Sequence, residues 1–189
     1  MRKFFFTITL ILTMLTATTF AAENSVDSKI NVRFQNMEKE IGKLLLEKNL
    51  TIACAESCTG GLLTSKLTDV AGSSAYVKGA VVSYTNEIKM NVLHVKAETL
   101  ENFGAVSEQT AREMAANVRQ ILNTDIGVSV TGIAGPDGGT PEKPVGTVYI
   151  GISGANGDKI QKFNFGGTRT EIKEKSADAA LALIQNYLE

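Results

Sequence analysis

One histidine, two cysteines, three prolines and no tryptophan stand among 189 residues. One His and two Cys cannot furnish a Cys/His zinc cage, and two Cys build no disulfide framework. Neither sign of charge dominates, with 19 Lys+Arg against 20 Asp+Glu, which argues against a broad nucleic-acid-binding surface. What remains is a globular composition, 43% hydrophobic and 21% charged, long enough for one domain with a sizeable core and unlike a disordered chain. The shortage of histidine matters most, because much hydrolytic chemistry runs on imidazole. His94 is the sole candidate, and Asn91-Val92-Leu93-His94-Val95 places it among apolar neighbours, as a packed or surface side chain.

The first residues read as an export signal. Arg2 and Lys3 are a basic start, Phe4 to Phe20 is an uncharged stretch, and Thr19-Phe20-Ala21 offers a cleavage site. The alternative is a retained anchor, for which the stretch is at the short limit and rich in Thr. The expected organisation is a signal peptide over 1–21, a polar leader over 22–33 and one domain over 34–189, with the mature protein exported, in the periplasm, and not stably inserted in a membrane. Phe34, Met37, Ile41, Leu44 and Leu45 recur at helical spacing within Asn31–Lys48. Strands are expected over 50–54, 77–84, 126–131, 145–152 and 159–165, and helices over 59–69, 86–93, 107–122 and 168–188. Asn156-Gly157-Asp158 signals a hairpin. All three prolines fall in 136–144, which marks a loop with a constrained path. Strands interleaved with helices, plus one hairpin, predict a three-layer α/β/α single domain with a mixed sheet.

Three glycine-rich segments follow strand ends, where open α/β sheets usually place ligands. The first is Ala55-Glu56-Ser57-Cys58-Thr59-Gly60-Gly61. A serine at a strand-to-helix junction can attack a carbonyl while nearby amides hold the oxyanion, and the glycines let a substrate approach the backbone. Equally, Ser57 could simply cap the helix. The Gly-x-Ser-x-Gly elbow and any Ser-x-x-Lys are absent, so a base must come from elsewhere. Lys89, in Tyr84-Thr85-Asn86-Glu87-Ile88-Lys89, reads from the residues alone as a surface lysine. It becomes a base only if the strand before it neighbours the strand before Ser57. The second segment, Thr131-Gly132-Ile133-Ala134-Gly135-Pro136-Asp137-Gly138-Gly139, is a rigid loop suited to a phosphate or a ribose. In the third, Gly166-Gly167-Thr168-Arg169, Arg169 could pair with phosphate in a bidentate fashion. Each segment could also do no more than turn the chain, and none matches the P-loop or the dinucleotide fingerprint. Cys54 ends a buried strand, and Cys58 adjoins Ser57 near a helix N-terminus, which tends to lower a thiol pKa; export leaves a disulfide between them as the alternative, and two free thiols are expected.

These segments, with Gly72-Ser73-Ser74, Gly104-Ala105-Val106-Ser107 and Lys143-Pro144-Val145-Gly146-Thr147-Val148, resemble the CinA C-terminal domain family over about residues 34–188. Its characterised enzymes are nicotinamide-nucleotide amidohydrolases, also called NMN deamidases or PncC. The resemblance implies a three-layer α/β/α fold and hydrolysis of nicotinamide mononucleotide (NMN) to nicotinate mononucleotide and ammonia, without metal or cofactor. It implies Ser57 as nucleophile, Lys89 as general base and Tyr84 as a support for that pair or for the substrate. Thr59, Gly60 and Gly61 would lie against the substrate, with the amides of Cys58 to Gly61 around the oxyanion. Thr131 and Gly132 would line the pocket, and Arg169 would meet the phosphate. The partner implied is a small molecule rather than nucleic acid, and a homodimer would be in keeping with the family. Members of this length are typically cytoplasmic, so an export signal is a departure that bears on the physiological substrate. The additional N-terminal domain of larger CinA proteins, linked to ADP-ribose hydrolysis, has no expected counterpart here. Two other readings share these residues: a nucleotide-binding module without turnover, and a serine hydrolase of another small amide.

Overall fold

In a computed structural model, the structure describes residues 37–189. The expected export segment 1–21 and the leader 22–33 lie outside the described residues. The first described helix, α1, covers 37–47. Next comes β1 (Ile52–Glu56), whose five residues are all buried, as befits a strand covered on both faces. The chain continues through α2 (Leu62–Thr68), a short 3-10 turn at Ser73–Ala75, β2 (Val77–Val82), α3 (Asn86–Asn91), α4 (Ala97–Phe103) and α5 (Glu108–Ile121). It ends with β3 (Ile126–Gly132), β4 (Thr147–Ser153), β5 (Lys159–Asn164) and α6 (Arg169–Leu188).

The five strands form one sheet in the order β2-β1-β3-β4-β5. β1 runs parallel to both β2 and β3, while β3–β4 and β4–β5 are antiparallel. The period-two alternation of β1 sorts its side chains between two layers. Ile52 and Cys54 join Leu45 of α1, Leu63 of α2 and Leu181 of α6 on one face. Ala53 and Ala55 pack with Leu93, Met114 and Val118 on the other. The result is the expected three-layer α/β/α arrangement around a mixed sheet.

Boundaries differ from expectation in ways with physical causes. Residues 59–61 form a turn ahead of α2, with Gly60 at φ 65° and Gly61 at φ 102°, a left-handed path that glycine takes without strain. β1 reaches two residues further than expected, to Glu56, because its pairing with β2 and β3 continues to Glu56↔Val82 and Glu56↔Val130. β4 begins at Thr147 rather than Val145, since Gly146 turns at φ 92°. α4 was not expected. Of its seven residues Ala-Glu-Thr-Leu-Glu-Asn-Phe only Thr99 is buried, too little apolar periodicity to register as a helix.

α5 lies very close to the sheet. A Cβ placed on Gly127 would sit 2.1 Å from the carbonyl oxygen of Ala115 and 2.7 Å from Cβ of Arg119. Gly127→Ala is therefore expected to destabilise the protein by about 3 kcal/mol, since backbone leaves no room to repack. A urea titration reads this directly, and an unmoved midpoint would mean α5 lifts off β3 with little penalty.

Candidate active site

The pairing of β1 with β2 brings the two halves of the site together. Ser57 follows β1 and Ser83 follows β2, and the ladder runs one step past both strands: Ser83 N–H donates to the Glu56 carbonyl at 2.7 Å. On the other side, Ser57 N–H donates to the Val130 carbonyl of β3 at 2.9 Å. The chain then enters α3, where the Thr85 hydroxyl accepts from Ile88 N–H as a cap. One turn in, Lys89 points back under the strand ends. Its Nζ lies 3.1 Å from Ser57 Oγ and donates to the Ser83 carbonyl at 2.7 Å. The condition under which Lys89 could be a base is met, and the surface-lysine reading is not: Lys89 is 1% exposed and Ser57 7%.

Burial disfavours the ammonium and lowers the Lys89 pKa from 10.5 to about 8, with the neighbouring Cys58 acting weakly in the other direction. A lysine in this state is about one-tenth neutral at pH 7, and that form can take a proton from a hydroxyl 3.1 Å away. Cys58 and Cys54 are free and buried. Burial pushes both thiols up to about 12, so neither offers a competing thiolate. His94 is exposed, with φ 54°, and lies away from the pocket that Ser57 lines.

The turn after Ser57 is held by a residue that sequence reasoning passed over. α2 has no capping side chain of its own at Gly61. Glu56, fully buried at the end of β1, supplies the cap from outside the helix. Its carboxylate accepts from Gly61 N–H (2.9 Å), Leu63 N–H (3.2 Å), Thr64 N–H (2.8 Å) and the Thr64 hydroxyl (2.6 Å). Those orphan amides and the helix dipole make a buried anion tolerable there. The sequence cue was an acidic residue immediately before a strand-to-helix turn, at the parity that faces α2.

This capping corrects the expected oxyanion site. Gly61 N–H is taken by Glu56, and Gly60 N–H donates to the Ser57 carbonyl at 3.1 Å. Among the described residues, the amides of Cys58 and Thr59 have no backbone acceptor; both face the Cys58 sulfur, and of the two residues Cys58 lines the pocket. Thr59, Gly60 and Gly61 stand outside the pocket lining. Thr59 is 1% exposed with its hydroxyl unpartnered, and Gly60 is exposed on the outer side of the turn.

The pocket has a volume of about 280 Å³ and is bounded by Ser57, Lys89, the 131–138 loop and Arg169. Thr131 and Gly132 line it as expected, and the Thr131 hydroxyl ties the loop to the Ala105 carbonyl at 2.7 Å. Ala105 and Val106, whose segment carried part of the resemblance but no expected place in the site, add an apolar wall. Arg169 opens α6, whose start is fixed by a capping box between Thr168 and Glu171. Its guanidinium donates to the Gly135 carbonyl and the Tyr84 hydroxyl, both at 2.6 Å. Tyr84 is thus a rim residue, 57% exposed and joined to Arg169. It makes no hydrogen bond to Ser57 or Lys89 but lines the pocket, so of its two expected roles the geometry leaves support of the substrate and not of the pair. Among the described residues, no group of His, Cys, Asp and Glu is arranged to hold a metal ion.

Fold and site together define an α/β protein in which a buried serine and lysine meet at the ends of parallel strands, beneath an arginine-bridged pocket. The chain belongs to the CinA family: the model of the CinA C-terminal domain matches residues 34–188. It is 52% identical over 147 residues to a CinA-like protein of Endomicrobium trichonymphae, covering 78% of this chain and 34% of that one. A relative from Halothermothrix orenii is 53% identical over 154 residues, 81% of this chain and 37% of its own length. The chain thus spans little more than a third of these curated relatives. Among solved structures, competence/damage inducible protein CihA from Agrobacterium tumefaciens superposes with a TM-score of 0.79 at 41% identity, covering 82% of this chain and 94% of that one. A competence or damage-inducible protein from Enterobacter asburiae gives 0.80 at 34% identity, covering 82% and 98%.

Proposed function

We propose that this protein is an amidohydrolase that converts NMN to nicotinate mononucleotide and ammonia through Ser57 and Lys89. The observation that carries the reading is the buried Lys89 Nζ held 3.1 Å from Ser57 Oγ. Neutral Lys89 accepts the Ser57 proton as Oγ bonds to the carboxamide carbon. The oxyanion forms against the Cys58 amide, beside Ser57 in the pocket wall. The C–N bond then breaks, and Lys89 returns the proton to the departing nitrogen, which leaves as ammonia. Water attacks the acyl carbon and gives a proton to Lys89; the C–Oγ bond breaks, Lys89 returns that proton to Ser57 Oγ, and nicotinate mononucleotide is released. The Ser83 carbonyl orients Nζ throughout and stabilises the transient ammonium. Arg169 has five N–H donors, of which the Gly135 and Tyr84 bonds leave several for a phosphate.

The test is ammonia release from NMN across a pH series. Because only neutral Lys89 serves as base and its pKa is about 8, kcat/KM should rise about tenfold per pH step below that value and level off above it. NMN binding without ammonia release would favour the binding-module reading. Turnover of other amides but not NMN would retain the chemistry and reject the substrate.

A further inference from the structure

The 131–138 loop carries one charged side chain that the mechanism does not use. Asp137 lines the same pocket as Ser57 and Arg169 and is exposed. Among the described residues its carboxylate takes part in no hydrogen bond or ion pair, although Arg169 lies close enough in the fold to bind Gly135, two positions earlier. The loop leads outward from the reacting pair. It continues β3, whose Val130 accepts from Ser57 N–H and whose Thr131 is buried, passes through buried Ala134, and surfaces at Pro136. A ligand whose reacting group sits on Ser57 and whose far end reaches Arg169 runs alongside this loop.

Resting on the amidohydrolase reading above, we infer that Asp137 accepts hydrogen bonds from the vicinal hydroxyls of the substrate's ribose and makes the pocket selective for ribosyl amides. A carboxylate presents two acceptor oxygens and no donor, the complement of two adjacent O–H groups. Acidic side chains serve the same purpose toward ribose in dinucleotide sites. The charges also sort the substrate. Arg169 attracts phosphate and Asp137 repels it, so phosphate is kept at the α6 end and the neutral sugar faces the loop. The carboxamide then meets Ser57, the ring Val106, the ribose Asp137 and the phosphate Arg169, four residues that line one pocket.

The experiment compares kcat/KM for NMN and its 2′,3′-dideoxy analogue in the wild type, Asp137→Ala and Asp137→Asn. Wild-type protein is expected to prefer NMN by about 10- to 100-fold, the range for losing charge-assisted hydrogen bonds. In Asp137→Ala this preference should narrow to about threefold or less, within the usual tolerance of additivity. The loss on NMN should appear in KM rather than kcat, because the hydroxyls are remote from the reacting carbon. Asp137→Asn keeps the shape of the side chain and one acceptor oxygen, so it should fall between, which separates recognition from collapse of a trimmed loop. A preference that survives in Asp137→Ala, or a wild type that has none, overturns this inference alone. A wild type that releases no ammonia from NMN overturns the amidohydrolase reading and this inference with it.

Discussion

Ser57→Ala should lower kcat for NMN deamidation by at least about 10³-fold, the scale for removing a nucleophile that no neighbour replaces. Among the described residues no second hydroxyl is poised on Lys89: its remaining partner is the Ser83 carbonyl, and the Cys58 thiol is held near 12 by burial. The fold should survive, because the backbone bonds that fix residue 57 do not involve Oγ. Its N–H still reaches Val130 and its carbonyl still accepts from Gly60. Unfolding free energy should stay within about 1 kcal/mol of the wild type, the net worth of one hydrogen bond. Ammonia release and thermal unfolding on the same preparation check both halves. Undiminished turnover would remove Ser57 from the reaction.

Lys89→Met should abolish activity to the same extent while making the protein more stable. Methionine matches the stem of lysine in length and brings no charge into a site that is 1% exposed. The folded-state pKa is depressed from 10.5 to about 8, so the unfolded chain holds the proton more tightly. Below about pH 8 both states are protonated and the full penalty of a buried ammonium is present. Between about 8 and 10.5 the folded state sheds its proton first, and wild-type stability rises with pH through that window. The gap corresponds to about 3 kcal/mol, from which the orphaned Ser83 carbonyl subtracts about 1 kcal/mol in the variant. A net gain of about 2 kcal/mol at pH 7, vanishing toward pH 10, is expected in urea titrations. Because the two residues act as a unit, Ser57→Ala combined with Lys89→Met should be no slower than either alone. Independent, multiplying losses would mean that Lys89 works on some step other than activating Ser57.

The layers of the fold were legible because apolar runs and helical spacing are local properties. The 126–132 strand, the Ser107-capped α5 and the hairpin at 156–158 sit where their patterns put them. The site was legible in part. Glycine-rich strand ends flagged Ser57, Thr131 and Arg169, but nothing local marks Lys89 as buried. Its burial depends on β1 pairing with β2, and pairing is a long-range fact that spacing does not carry. For the same reason Glu56 went unrecognised, since a cap supplied from the preceding strand leaves no Ser-x-x-Glu pattern at the helix it serves. Tyr84 and the Gly60–Gly61 amides were assigned by position in a motif, and their side-chain and amide partners lie in other segments or within the turn itself.

Ser57 and Lys89 are 32 positions apart, so the proposed nucleophile and base sit in one unbroken stretch, from the end of β1 through α2 and β2 into α3. The opposite wall of the pocket, 131–138 and Arg169, is encoded later in the chain. Reactivity and recognition are therefore inherited on separate stretches. Changes accumulating in the second can retune which ligand enters without disturbing the first, and a domain of this kind can be joined to others at either end with the Ser57–Lys89 contact intact.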